Sequence, residues 1–227
     1  MNFINEAYPQ KNLKQILSPT PYKKTSFSKT PLFKSKYDKY WMRQPDKYSC
    51  WITSLRMMYA IKDDEDIRSK FKSSDERYKE LERFLTEIFE DNNVNHEELL
   101  KLTKIRDRKR GLSPYMVGTF LLAAGLKTLG IEKGDLGPGT INPISVNDFS
   151  SKTIDKLLIE HQSLYVVIKP YTASAGYHAY VIVDQDNEYY KILEPGLSNL
   201  FTAQKQGVVQ KVKDMIEEVK KTTIGFF

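Results

Sequence analysis

The hydrophobic positions of this 227-residue chain change period near its midpoint. From Ser49 to about Lys62, Cys50, Trp51, Leu55, Met57, Met58, Ala60 and Ile61 recur at helical spacing. The pattern predicts a buried helix with Ser49 as its N-cap and Cys50 on its first turn. Ser74 or Asp75 opens a second helix through Glu90, with Tyr78, Leu81, Leu85, Ile88 and Phe89 on one stripe and Lys, Glu and Arg on the other; this is an amphipathic helix with one wet face. Asn95 caps a third, carrying Leu99, Leu100, Leu102 and Ile105 into the basic run Arg106–Arg110. Ser113-Pro114 starts a fourth, almost wholly apolar, from Tyr115 to Gly125, with the proline in its first turn.

Beyond a Gly/Pro/Asn-rich loop from Gly134 to Pro143 and a short helix from Ser151 to Glu160, the period shortens. Leu164–Ile168, Ala179–Val183 and Tyr189–Leu193 are rich in β-branched and aromatic residues, and Asp184-Gln-Asp-Asn187 turns the last two into a hairpin. Further short strands are expected at Val208–Val212 and Thr222–Phe227. A helical half followed by an antiparallel half predicts an α+β fold, one domain over residues 41–227 whose two lobes meet at a cleft. Residues 63–126 form a helical insert within it.

Composition places the charge. Residues 1–40 hold eight lysines against Glu6 and Asp38, which accounts for the whole formal charge of +6; the other 187 residues are balanced. This arm, with four prolines and no sustained apolar period, reads as extended or disordered. The excess charge therefore does not mark the body as a nucleic-acid binder, and nucleic acid is not the expected partner. A basic run such as Arg106–Arg110 at a helix end is usually a solvated face, although a binding module built on the arm and that run is the competing class. The single cysteine excludes an internal disulfide and any multi-cysteine metal site, and no paired Cys/His metal spacing or nucleotide fingerprint occurs, so neither metal nor cofactor is expected. No run of about 18 apolar residues is present, and the first 25 residues lack the apolar core of a secretory signal peptide.

A lone cysteine in an apolar segment is ordinarily an inert core residue. Cys50 differs because a helix N-terminus favours the thiolate, the form that acts as nucleophile. Of the three histidines, His96 starts a helix and His161 ends one, both at the surface. His178 stands at the mouth of an apolar strand, after the flexible stretch Thr172–Gly176, where it serves either as a satisfied core residue or as a base. The hairpin then returns Glu194 to about the level of His178, in position to orient an imidazole. Gln44, six residues before Cys50, is placed to donate its amide to an oxyanion together with the Cys50 N–H.

The segments Gln44-Pro-Asp-Lys-Tyr-Ser-Cys50-Trp51, Gly176-Tyr-His178-Ala-Tyr-Val-Ile-Val183 and Leu193-Glu194-Pro195-Gly196 together resemble the papain-like cysteine peptidases in their compact bacterial form, the effector proteases and bacteriocin-leader peptidases. The resemblance covers about residues 44–62 and 151–200. It implies a papain-like fold, a helical lobe carrying the Cys helix against an antiparallel sheet carrying the His. It further implies Cys50 as nucleophile, His178 as base and then acid, Glu194 as orienter and Gln44 as oxyanion donor. Glutamate stands where the family commonly has Asp or Asn. The implied activity is hydrolysis of peptide bonds through an acyl-enzyme, and the implied partner a protein or peptide substrate. An inhibitor, an immunity protein or a secretion chaperone would be further partners of an effector or toxin exported by a route without a standard signal peptide. The same Cys–His chemistry also serves deamidases, transglutaminases, acyltransferases and peptidoglycan amidases.

Overall fold

The computed structural model describes residues 35–108, 110–133, 143–169, 176–196 and 200–227. The arm up to residue 34, most of the Gly134–Pro143 loop and residues 172–175 of the stretch before His178 lie outside the described residues. A 3-10 turn at Asp38–Tyr40 already belongs to the folded body, with Tyr40 buried, so order begins slightly ahead of Trp41.

The centre is a seven-stranded sheet. Its strands are β1 (Lys127–Glu132), β2 (Ile144–Ser145), β3 (Leu164–Ile168), β4 (His178–Gln185), β5 (Tyr189–Leu193), β6 (Leu200–Gln204) and β7 (Lys221–Phe226), in the order β2-β1-β7-β3-β4-β5-β6. All neighbours are antiparallel except β1 and β2. The helices are α1 (Cys50–Lys62), α2 (Ser74–Asp91), α3 (Glu97–Leu100), α4 (Val117–Ala123), α5 (Ser151–His161) and α6 (Lys205–Val219), giving a mixed α+β fold.

The central strands are apolar without alternation because both faces of the sheet are covered. Tyr165, Val167, Ala179, Val181 and Val183 join a core built with α1, α2 and α4. Leu164, Val166, Ile168, Tyr180 and Ile182 alternate with them and face a second core that contains Ile154 and Leu158 of α5 and Val208, Val212 and Ile216 of α6. The expected two lobes thus become three layers, with α5 and α6 behind the sheet. Residues 63–126 do not stand apart: Leu81, Phe84, Phe120 and Leu121 pack in the same core as α1.

Several elements differ from the sequence reading. Val208–Val212 lies inside α6, not in a strand; Val208, Val209, Val212, Met215, Ile216 and Val219 are all buried at helical spacing over 15 residues. A period sustained for four turns overrides the β preference of single valines. The third helix shortens to α3 followed by 3-10 turns at Lys101–Thr103 and Ile105–Asp107, with His96 rather than Asn95 at its cap position. The fourth begins as a 3-10 turn at Pro114–Met116. α2 is capped by Ser73, whose hydroxyl accepts from Glu76 N while the Glu76 carboxylate accepts from Ser73 N, a complete capping box. β1 and β6, unexpected from sequence, are recruited by pairing along β7 and β5. The hairpin turn is tighter than expected, since Asp184 and Gln185 remain in β4.

α1 is buried almost all round, as its apolar composition demands. Its one buried charge, Arg56, is neutralised by Glu80 at 2.7 Å and Glu65 at 2.6 Å, which ties α1 to α2 and to the loop between them. Two further bonds fix α1 against the sheet: Ser54 Oγ donates to Ala179 O at 3.0 Å, and the fully buried Tyr165 hydroxyl donates to Trp51 O at 3.0 Å. Because Ala179 follows His178 and Trp51 follows Cys50, these bonds set how the start of α1 meets the start of β4.

Candidate active site

Cys50 is the first residue of α1 and is mostly buried. Ser49 occupies the N-cap position but does not cap with its side chain. Its hydroxyl instead donates to Asp46 O at 3.2 Å and accepts from Asp46 N at 3.4 Å. The first turn holds no acidic residue, so the positive end of α1 remains uncompensated beside the thiol.

The loop that delivers Cys50 is wound around Asp46. Its Oδ1 accepts from Tyr48 N at 2.6 Å, its Oδ2 accepts from the Tyr78 hydroxyl of α2, and its carbonyl accepts from Gln44 Nε2 at 2.6 Å. Burial and the hydrogen bond to Asp46 push the Tyr78 hydroxyl up to about 12, which keeps it a donor at any ordinary pH. This side chain-to-backbone turn does the work that glycines do in other loops, and sequence reading missed it.

His178 opens β4, opposite Ile168 of β3, with its ring edge-on to Tyr180 at 4.8 Å between centroids. Its Nε2 donates to Glu194 Oε1 at 2.5 Å. Glu194 is only 5 % exposed, and the same oxygen accepts from Gly196 N at 2.7 Å. Burial alone would lower the pKa of His178, but hydrogen bonding and charge from Cys50 and Glu194 outweigh it and raise it to about 10. The imidazole is thus flanked by the thiol and the carboxylate and carries a proton at neutral pH.

The register explains the glutamate. A symmetric hairpin would set residue 194 across from 178, yet β4 runs on to Gln185, which pairs with Tyr190, and even after a bulge between Ile182 and Asp184 returns one residue of that offset the pair is Val181↔Leu193. Continued outward, that register sets Glu194 across from Tyr180, short of the His178 level. A glutamate has the additional methylene that reaches back to the ring.

Two contacts bring the amino-terminal segment onto this corner: Trp41 Nε1 donates to Glu194 O at 2.8 Å, and Gln44 N donates to Pro195 O at 2.8 Å. Gln44 therefore lies at the site as expected, although one of its two amide protons is given to Asp46 O and its Oε1 is buried without a partner. Gly196 closes the group. A Cβ there would lie 3.1 Å from Glu194 Oε1, closer than an ordinary contact, while His178 Cε1 at 3.5 Å and Gln44 Oε1 at 3.6 Å would merely touch it, so glycine leaves the carboxylate room.

The other candidates fall elsewhere. His96 is exposed, and His161 ends α5 stacked on Phe226. In the basic run, Arg106 pairs with Asp75 at 2.6 Å, and Arg108 lies partly buried over the Trp51 ring. Among the described residues no helix is long and apolar enough to cross a membrane, and no group of three or more His, Cys, Asp or Glu side chains is placed to hold a metal ion. Compared with protein-family models and with curated proteins, the chain matches none, so what the site can do has to be argued from its own geometry.

Proposed function

We propose that the protein is a papain-like thiol hydrolase that cleaves peptide bonds, with Cys50 as nucleophile, His178 as acid and base, and Glu194 as the group that orients the imidazole. The observation that carries this reading is the imidazole held between the only thiol of the chain and a buried carboxylate, with its pKa raised to about 10. A structural histidine needs neither neighbour, and a structural cysteine needs no uncompensated helix terminus.

The chemistry follows from those positions. Cys50 Sγ attacks the carbonyl carbon, and the oxyanion that forms is met by the Cys50 N–H at the head of α1 and by the Gln44 amide. His178 gives its proton to the departing amine nitrogen, the C–N bond breaks, and an acyl thioester remains on Cys50. Water then attacks the thioester while His178 takes up its proton, and the carboxylic acid leaves as the Cys50 thiolate is restored beside the imidazolium. Glu194 stays ionised throughout and stabilises the imidazolium. In the effector setting the resemblance suggests, the amino-terminal arm serves delivery, and deletion of residues 1–34, which spares the buried Tyr40, leaves hydrolysis unchanged in vitro.

The engaged partners of Arg106 and Arg108 weigh against the binding-module reading, because these two charges of the run are already taken up within the fold. The test is covalent labelling with an epoxide probe for thiol proteases, read by intact mass, alongside digestion of a peptide pool. Labelling at Cys50 and new peptide termini, both lost in Cys50→Ala, are expected. A pool whose peptides change mass without being cut would reassign the site to deamidation or transfer, and an unlabelled wild-type chain would remove the hydrolase reading.

A further inference from the structure

A pocket of about 420 Å³ opens beside the candidate site and shares Gln44 and Gly196 with it. Its remaining walls include Arg43, Lys47 and Arg77, with Asp46 as the one carboxylate. That carboxylate is already taken up by Tyr48 N and the Tyr78 hydroxyl. Among the described residues Arg77 donates only to neutral acceptors, Phe71 O and Lys72 O from Nη1 and Ser74 Oγ from Nη2, and its Nε is buried without a partner. Among the described residues, none of the three cations forms an ion pair with a carboxylate. Elsewhere such pairs are common, as for Arg56, Arg83, Arg106 and Lys191.

Burial and the nearby Arg43 both lower the pKa of Arg77, and Glu76 offsets them in part. Like charges gathered without a counterion raise the energy of the free protein, and an anion entering the pocket relieves it. The buried Gln44 Oε1 adds a vacant acceptor on the same wall, suited to a backbone N–H. An extended peptide supplies both features, an N–H and a carboxylate a few ångströms apart.

We propose that this pocket receives an aspartate or glutamate side chain of the peptide substrate, close to the bond that Cys50 attacks. The inference rests on the hydrolase reading for the word substrate, but the pocket can be tested apart from it. Peptides differing only by Glu or Gln at each position in turn are titrated onto full-length Cys50→Ala protein and digested with the active chain. One position should favour Glu by about 10-fold or more in both Kd and kcat/KM, as expected for a charge-assisted hydrogen bond in a partly buried site. Arg43→Glu should abolish or invert that preference while leaving the melting temperature unchanged, since the Arg43 side chain is exposed and makes no hydrogen bond among the described residues, and rising salt should weaken it.

Equal binding of Glu and Gln peptides at every position, or a preference that survives Arg43→Glu, would overturn the proposal. A single-stranded RNA that displaces the Glu peptide at lower concentration than a Glu-rich competitor would also overturn it, by assigning the pocket to phosphate. Cleavage without acidic preference would sink the pocket and leave the hydrolase standing. Preferential binding without cleavage by the active chain would do the reverse.

Discussion

α1 and β4 run side by side, and the polar groups at their two ends differ in kind. Where both elements begin, Cys50, His178 and Glu194 meet with little solvent between them. Where both end, a larger pocket of about 540 Å³ is lined by Lys36, Tyr40, Lys62, Asp64, Asp184 and Gln185 among others. There Asp64 accepts from Lys39 at 2.6 Å and from the Tyr40 hydroxyl at 2.5 Å, and Lys191 pairs with Asp184 at 2.7 Å. Those ion pairs are partly solvated and satisfy one another, so water screens them. At the first end, the half-buried imidazole has the thiol, the carboxylate and its packing neighbours as its partners among the described residues. The comparison teaches that the size of a cavity does not locate reactivity in this fold; the groups that burial forces together do.

Breaking the buried end should show most in activity. Cys50→Ala is expected to remove amide hydrolysis, a loss of at least about 10³-fold in kcat, with the melting temperature little changed; initial rates on a cleaved peptide check it. Glu194→Gln, which keeps the shape and removes the charge, should lower kcat by about 10²- to 10⁴-fold. Glu194→Asp retains the charge but falls short of the ring, and a loss of about 10²-fold is expected from misplacement on that scale. If Asp proved as good as Glu, the register argument would be wrong. Gly196→Ala should likewise cost kcat more than KM, since its methyl group crowds the carboxylate that holds the imidazole rather than an open surface.

A smaller effect lies in the pH dependence of stability. The folded value of His178, about 10, exceeds its ordinary value of 6.5. The stabilisation that this proton brings is therefore fully present below about pH 6.5 and declines as pH rises toward 10. Urea melts of the wild type and His178→Gln across that window should converge with rising pH, and a constant gap between them would contradict the ion-pair geometry. At the solvated end, Lys39→Ala and Asp64→Asn should leave both kcat and the pH profile unchanged.

Much of this was legible along the chain. The hairpin of β4 and β5 announced itself through β-branched runs around a polar turn, and α1 through its spacing, so the approach of Glu194 to His178 followed from counting. The count was off because β4 runs on to Gln185 before the chain turns, and the bulge near Val183, which no local pattern marks, returns only one residue of that offset. α6 was hidden because Val208, Val209 and Val212 suggest a strand when taken five residues at a time and a helix only over four turns. Contacts made across the fold left no trace in spacing: Ser54 to Ala179, Trp41 to Glu194, and Tyr78 to Asp46, 32 residues apart. Gly196 looked like a turn residue after Pro195, and only the closeness of the Glu194 carboxylate to where a Cβ would stand reveals its second role.

The central claim is that His178 and Cys50 act as a pair. It is tested most directly by the rate at which iodoacetamide alkylates Cys50, the only thiol in the chain, at neutral pH in the wild type and in His178→Gln. The account predicts a fall of about 10-fold or more when the imidazolium is removed. Equal rates in the two proteins would show that the thiol owes nothing to the histidine beside it, and would contradict the account.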